Sequence, residues 1–557
     1  VSAPPLPDVT APGAARSRLL GTGERRSWRL AVVAAAALAL LPVLGVGAEG
    51  LLRVPDAWSA LGTGAMLRMV ATTLALMVGV GAGTLLLGGG LAWLVAAHRF
   101  PGRTLFSWLL VLPLAMPAYV LGFAFLSVVD YTGPVQTAWR SLLGPQAWFP
   151  EPRSLAGAVV VLTLCLYPYV YLLARAALAE QAPAGYEAAR ALGAGHTRAG
   201  LRVVAPMTRP ALAAGVALVL METLTDFATV QYFDLHTVSV GVYQVWKGTF
   251  DRQAAAGLAT VVLVFALLVL AAERRLRGRA RFDRAGGTGR GLPAVALHGR
   301  RAAAATTACA VVLAAAFGLP VLRLAGWALA DGGHGSGGAA RFAEHLGNGL
   351  LLAVLTAAGC TAVALVVVHG RRMAPGPLVR FAAPLSTVGY AVPGVVLGIG
   401  VLVVTAGLDD ALEALGVPGG TGLLATGSVA GILYAYLVRF LALSHQSIDA
   451  SLAGLGPATT RSALCLGAPP RRVLTRVHLP QVRAGIGVAL VLVIADVLKE
   501  LPIVLLLRPS GFDTLAVRVW LLASENFWQA AALPALTIVL VAVVPVLLLV
   551  PRTRVPS

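Results

Sequence analysis

Charge is scarce in this sequence. Only 12% of its 557 residues are Asp, Glu, Lys or Arg, too few to clothe a soluble protein of that length in polar surface. Acidic residues are scarcer still, 24 against 43 basic ones. Cysteine is nearly missing. Cys165, Cys309, Cys360 and Cys465 are scattered without a CxxC pair, so they support neither a disulfide framework nor a cysteine metal site and are expected as small apolar fillers. No GxxxxGK[ST] phosphate loop occurs, and Lys247 in VWKGTF lacks the glycines that would precede it. His98, His196, His369 and His478 fall at the ends of apolar runs, where they are expected to be interfacial, with no spacing that suggests a zinc triad. No catalytic constellation stands out.

What is abundant is apolar length. Hydrophobic residues make up 58% of the chain and the mean hydropathy is +0.82. Many windows run to about 20 mostly apolar residues, enough for a helix to cross a hydrocarbon core. The sequence therefore describes an all-α polytopic membrane protein. Spans are expected near 30–48, 69–97, 105–129, 154–178, 210–231 and 254–272, then near 302–330, 346–369, 378–406, 422–443, 484–507 and 529–550. The first run follows Arg16, Arg18, Arg25, Arg26 and Arg29 without a small-x-small cleavage site, so it is expected to be retained as a span.

The net charge of +19 is a topology signal rather than a nucleic-acid stripe. Most Lys and Arg residues fall in alternate gaps between spans, starting with the first, while the opposite loops hold acidic groups such as Asp409, Asp410 and Glu413. The positive-inside rule then puts both termini in the cytoplasm. Residues 1–29 are expected as a disordered cytoplasmic tail, 273–301 as a basic Gly-rich cytoplasmic linker, and 551–557 as a cytoplasmic tail. The lipid bilayer is the surrounding medium, and no nucleic-acid partner is expected.

The two sets of spans repeat. AMPAYVLGFAFL (115–126) matches AVPGVVLGIGVL (391–402), and Gly193, Pro206 and Trp246 match Gly467, Pro480 and Trp520 in one register 274 residues apart. Two six-span domains, 30–272 and 302–550, arise from a tandem duplication. An even number of spans per unit makes the repeats parallel, related by an axis along the membrane normal.

Between spans four and five lies YEAARALGAGHTRAGLRVVAPMTRP (186–210). Arg190, Arg198, Arg202 and Arg209 would each cost roughly 2.5–3.5 kcal/mol at a bilayer centre, so the segment stays outside. EAARAL favours helix, Gly193 and Gly195 interrupt it, and Pro206 restricts the chain before the next span. A short helix, a turn and a second short helix are expected. On composition alone this is a re-entry loop whose arginines meet anionic headgroups. The spacing points elsewhere. Glu187-Ala188-Ala189, Gly193 six residues after the Glu and Pro206 thirteen after the Gly resemble the EAA loop of ATP-binding-cassette importer permeases.

That resemblance implies a type I importer fold of about twelve transmembrane helices in two tandem permease domains. The loop would be a coupling helix inserted into a cleft of an ATPase subunit. The second copy, RSALCLGAPPRRVLTRVHLP (461–480), keeps Gly467 and Pro480 but has Arg461 where Glu187 stands and Ser462 where Ala188 stands, which puts symmetric use of the loops in doubt. The chain is most similar to fused, two-domain, binding-protein-dependent ferric-iron permeases, whose hallmark region looks like DVLKELPIVLLLRPSGFDTLAVRVW (496–520), echoed by METLTDFATVQYF (221–233). The implied partners are two ABC ATPase subunits, which use the ATP, and an extracytoplasmic substrate-binding protein. The implied location is a bacterial inner membrane. The chain is expected to carry no cofactor and no catalytic residues of its own. Related permeases carry thiamine, polyamines or oxyanions, so the solute stays open.

Charged residues inside spans are costly and mark functional sites. Glu222 and Asp226 stand four apart on span five, and Asp496 and Glu500 occupy the matching positions on span eleven, with Lys499 beside them. One reading pairs Lys499 with Asp496 or Glu500. The other sets the four carboxylates around a central pathway, hard oxygen ligands suiting a hard cation such as Fe³⁺ in a transient contact; no firm metal site is assigned. A proton-coupled secondary transporter would also use such carboxylates and parallel halves, but has no need of paired cytoplasmic docking loops.

Overall fold

The structure, a computed structural model, describes residues 22–180, 182–249, 251–277, 294–331, 338–422 and 427–549. The first 21 residues of the expected tail, the middle of the expected linker and residues 551–557 lie outside the described residues. Hydrocarbon offers no water to backbone N–H and C=O groups, so a spanning segment must satisfy them internally. The apolar runs accordingly form helices.

The first half contains α1 (Thr22–Leu61), α2 (Thr63–Ala97), α3 (Arg103–Leu109), α4 (Ala118–Val129), α5 (Pro134–Leu143) and α6 (Leu155–Glu180). It continues with α7 (Ala182–Ala191), α8 (His196–Ala199), α9 (Ala205–Thr225), α10 (Ala228–Tyr232), α11 (Val238–Thr249) and α12 (Arg252–Arg277). The second half opens with α13 (Gly299–Leu313), α14 (Leu319–Asp331), α15 (Ala339–Met373), α16 (Pro377–Leu385), α17 (Gly394–Ala414) and α18 (Val429–Ala453). It ends with α19 (Pro457–Cys465), α20 (Pro470–Val473), α21 (Leu479–Lys499), α22 (Pro502–Leu507), α23 (Leu515–Ser524) and α24 (Trp528–Leu549).

The duplication is visible element by element. α2 and α15 are each 35 residues long and start 276 residues apart. α9 and α21 are each 21 residues long and start 274 apart, both preceded by a five-residue π turn, Gly200–Val204 and Leu474–His478. Among the described residues, eleven helical segments are long and apolar enough to cross a membrane. α18 fills the position of the tenth expected span as a 25-residue helix, and Arg439, His445 and Gln446 dilute its hydropathy. The fold is two tandem six-helix permease domains.

Several boundaries depart from the sequence expectation. Residues 22–29, assigned to a disordered tail, belong to α1. The third span breaks into α3, a 3-10 turn Leu112–Ala115 and α4, at Pro113 and Pro117. The ninth breaks likewise into α16, a 3-10 turn Val388–Ala391 and α17, at Pro384 and Pro393. Pro206 does not separate the loop from span five. α8, the π turn and α9 run on without interruption, and Ala205 N–H bonds to Gly200 five residues back. Proline lacks the N–H for the usual bond and crowds the preceding turn, and the wider π turn absorbs both. The same turn precedes Pro480 and Pro320.

The chain packs as two compact units that cut across the sequence repeats: residues 1–41, 354–390 and 436–494 in one, and 42–353, 391–435 and 495–557 in the other. In the smaller unit the start of α1 packs on second-half helices, Val32 and Ala36 meeting Val367, Val379 and Ala383. In the larger, α13 packs on first-half helices, Ala302, Ala305 and Cys309 joining Leu110, Tyr167 and Tyr171. The opening helix of each half thus packs against the other half. A two-residue parallel pairing, His98–Arg99 with Val295–Ala296, ties the end of the linker to the loop after α2.

α2 and α6 approach closely at Gly88, where an added Cβ would lie 2.6 Å from the Tyr167 carbonyl and 3.0 Å from Val170 Cβ. At Gly90 nothing lies within 4 Å. Gly88→Ala is expected to destabilise by about 1–3 kcal/mol through overpacking. Gly90→Ala should be neutral or stabilising by up to about 1 kcal/mol, because Ala is the better helix former. Thermal unfolding of the purified protein in detergent compares the two.

Candidate translocation site and docking loops

The breaks in the spans position the candidate site. A broken helix leaves backbone groups without their usual partners, which are costly in an apolar setting. Side chains of α6 take up those of the third span. Tyr167 Oη donates to the Leu110 carbonyl and Tyr171 Oη to the Ser107 carbonyl, each at 2.9 Å, and Cys165 Sγ donates to the Met116 carbonyl at 3.2 Å. Cys165, expected only as a filler, is buried beside the acidic cluster. Asp226, Lys499 and Glu222 all lie within electrostatic reach of it.

Glu222 and Asp226, four apart on span five, have different surroundings. Asp226 is the C-terminal cap residue of α9, with ψ 113°, and turns to the start of α10. Its Oδ1 accepts from Thr229 N–H at 2.8 Å and its Oδ2 from Thr229 Oγ1 at 2.6 Å. Glu500, 274 residues on, lies just past the end of α21 and accepts from the N–H groups of Ile503 and Val504 at 3.0 and 3.4 Å. Short side-chain carboxylates compete well for free N–H donors at a helix start, so the duplicated pair caps the two short helices that follow the breaks.

The other pair, Glu222 and Asp496, remains inside the helices. Lys499 Nζ meets Asp496 Oδ1 at 2.7 Å, and Glu222 is the next carboxylate acting on the ammonium. One lysine is therefore shared by two carboxylates, Asp496 in contact and Glu222 acting on it, while the other two, Asp226 and Glu500, serve as caps. Glu500 also acts on the buried phenol of Tyr119, which follows the break in the third span.

At the α10 end of the larger unit lies an open cavity of about 220 Å³, walled by Arg153, Gln231 and Asp234 from the first half and Ser524, Asn526 and Trp528 from the second. Arg153 pairs with Asp130 at 2.9 Å, donates to the Tyr232 carbonyl at 3.4 Å and reaches Asn526 Oδ1 at 3.2 Å. Beneath it, Trp520 packs edge-on to Phe227 and Tyr243. Sequence reasoning passed over Arg153 and Trp520 as site residues; their roles depend on contacts between distant segments.

At the other ends of α6 and α9, about 39 Å along α6, is the first candidate docking loop. α7 closes on Gly193 at φ 85°, with Gly193 N–H bonded to Arg190 and Ala194 N–H to Ala189. The second loop, in the smaller unit, repeats this: Gly467 at φ 80°, its N–H bonded to Leu464 and Ala468 N–H to Ala463. Only glycine takes this left-handed position without strain. Glu187 and Ala188 are exposed, as are Arg461 and Ser462, whereas Ala189 and Ala463 are partly covered. Pro206 and Pro480 each occupy the second position of the helix after a π turn.

Residues 84–281, which include the first loop, match the family described as binding-protein-dependent transport system inner membrane component. The Escherichia coli sulfate transport system permease protein CysT is 31% identical over 195 residues, covering 34% of this chain and 68% of the relative. The chain belongs to this permease family. A longer match is to the Fe(3+)-transport system permease protein FbpB 2 of Haemophilus influenzae, 25% identical over 486 residues, 87% of this chain and 90% of the relative. The E. coli molybdenum transport system permease protein ModB is 27% identical over 189 residues, 32% of this chain and 79% of the relative. The protein is thus an ABC importer permease, a transport subunit rather than an enzyme.

Removing one partner of the Lys499–Asp496 pair leaves a charge in an apolar setting. Lys499→Met is expected to destabilise this permease by on the order of 2 kcal/mol, below the fully buried case because solvent reaches part of both side chains. The double variant Asp496→Leu with Lys499→Met should recover most of the loss. Unfolding midpoints in detergent report both.

Proposed function

We propose that the chain is the membrane permease of an ATP-driven ferric-iron importer, set between an extracytoplasmic binding protein and two ABC ATPase subunits. The supporting observation is the duplicated loop geometry. Each loop closes a helix on a left-handed glycine and holds a leucine at its tip almost wholly exposed, Leu192 at 89% and Leu466 at 88%. One such leucine needs no explanation, but the same residue at the same register on two loops suits insertion into a partner's cleft. The loops and both termini face the cytoplasm, the Arg153 cavity faces outward, and ATP is bound and hydrolysed by the partners, with no cofactor on this chain. Glu187, Ala188, Ala189, Gly193 and Pro206 form the first docking element, and Arg461, Gly467 and Pro480 the second. With Glu187 replaced by Arg461 in the second copy, the two ATPase contacts are unequal.

Iron is favoured by the charge balance of the pathway. Glu222, Asp226, Asp496 and Glu500 outnumber Lys499, and hard oxygen donors suit a hard cation rather than sulfate or molybdate. The caps on Asp226 and Glu500 and the Lys499 pair weaken the attraction, as import requires, since a tight site would retain the ion.

Proteoliposomes holding the permease, its ATPases and its binding protein test both parts. Fe³⁺ uptake is expected, with sulfate, molybdate, thiamine and a polyamine excluded; uptake of one of those instead reassigns the solute. Glu222→Gln with Asp496→Asn should lower iron uptake by roughly tenfold if each carboxylate contributes about 0.7 kcal/mol to passage, and unchanged uptake at normal expression removes them from the pathway. Glu187→Arg with Gly193→Pro should abolish ATP-driven uptake. Full uptake by that double variant would sink the docking assignment.

A further inference from the structure

The two docking loops are anchored to their spans by different chemistry. In the first copy the loop rests on Trp93 of α2, Tyr186 of α7 and Val204 of the π turn, which belong to one largely apolar cluster. None of these side-chain types changes charge near neutral pH. The matching residues in the second copy are His369 of α15, Thr460 of α19 and His478 of its π turn, at offsets of 276, 274 and 274. Expected to be interfacial, both histidines are buried, each 1% exposed, and Thr460 is 6% exposed.

Their polar atoms form a chain. His369 Nδ1 and His478 Nδ1 are 2.9 Å apart, and His478 Nε2 is 3.0 Å from Thr460 Oγ1. The Pro470 backbone of α20 is the other polar group at His369, and from α1 the Trp28 ring meets the His369 ring edge-on, centroids 4.6 Å apart. Arg372 is the charge acting on His478, and it also donates to the Leu452 and Leu455 carbonyls. On α18, Asp449 pairs with Arg371 and both act on His445. Arg471, Arg472 and Arg476, on α20 and its π turn, are exposed.

An imidazole–imidazole contact needs one donor and one acceptor. The neutral pair satisfies this when Thr460 Oγ1 donates to His478 Nε2 and His478 Nδ1–H to His369 Nδ1, an assignment made from the network. One added proton can be carried by reversing the direction of the chain. Two cannot, because the facing nitrogens then both carry hydrogens at 2.9 Å.

We propose that His369, His478 and Thr460 are positioning residues that make the second docking loop, and only the second, sensitive to acid on the ATPase side of the membrane. The pair holds α19 and the π turn against α15 at neutral pH and releases them as both rings become protonated. The inference rests on the loops being docking elements.

The assembled permease–ATPase complex in nanodiscs tests it. Hydrogen exchange of the unmodified complex, at about pH 7.5 and about pH 5.5, brackets the titration of imidazoles freed from the contact, so that acid favours the released state by mass action. Amides of 457–478 should exchange at least about tenfold faster in acid after correction for intrinsic rates, and those of 182–204 should not. The variant Thr460→Tyr, His369→Trp, His478→Val copies the first anchor, and His478→Gln keeps a polar contact without a second proton. Either variant should lose the acid response while ATPase activity at neutral pH stays within about twofold of the parent. Equal exchange of both loops in the parent overturns the inference, as does an acid response kept by His478→Gln. If both loops remain unprotected when ATPases are added at neutral pH, the docking assignment itself fails; protection of both without an acid difference defeats only the anchor.

Discussion

A helix that breaks inside hydrocarbon must find new partners for the backbone groups it frees, and this constraint organises the centre of the protein. The third and fifth spans of each half are broken, and three of the four breaks have identified side-chain partners. Tyr167, Tyr171 and Cys165 take the carbonyls left by Pro113 and Pro117. Asp226 and Glu500 take the N–H groups left where α9 and α21 end. Around the same breaks, Asp226, Lys499 and Glu222 come within electrostatic reach of Cys165. Charge there is tolerable in part because Asp226, Lys499 and Glu500 each have a partner of their own. Carboxylates that stabilise the breaks are also among those of the proposed pathway, so on that proposal structure and permeation draw on the same atoms.

A second consequence follows at the opposite ends of the helices. Pro206 and Pro480 would interrupt α9 and α21 near the docking loops. The π turns let each loop run into its span as continuous helix. A loop joined in this way is mechanically tied to the segment that carries Glu222 or Asp496. Movement imposed on the loop tip would be transmitted along roughly 30 Å of helix toward the carboxylates. A flexible linker would lose it.

Much of this was legible in the sequence. Hydropathy located the spans, and the shared register of Gly193, Pro206 and Trp246 with Gly467, Pro480 and Trp520 revealed the duplication that the helix lengths reproduce. The left-handed glycines follow from local chemistry, which sequence carries well. Less legible were features depending on tertiary partners. Glu222 and Asp226 have helical spacing, yet Asp226 leaves the helix because α10 offers it free N–H donors. His369 and His478 stood at span ends and read as interfacial, because their burial is created by residues 109 positions apart. Arg153 carried no signal at all, since one of its partners, Asn526, lies 373 residues away. The prolines at 113, 117, 384 and 393 were the available clue to the broken third spans, and hydropathy averaged over them.

Fusion of the two halves into one chain explains why such differences can persist. In a permease assembled from two identical subunits, any residue in one docking loop appears in the other, and each must serve both positions. A tandem chain removes that restriction, because the first and second copies always occupy distinct places. Glu187 can then stand opposite an Arg461, and the apolar anchor of Trp93, Tyr186 and Val204 opposite a polar one of His369, Thr460 and His478. Shape is retained where the backbone demands it, at the glycines, the prolines and the π turns, whereas side-chain chemistry diverges on the loop surfaces and their anchors. The duplicated frame therefore keeps two equivalent mechanical connections while leaving each copy free to acquire its own response.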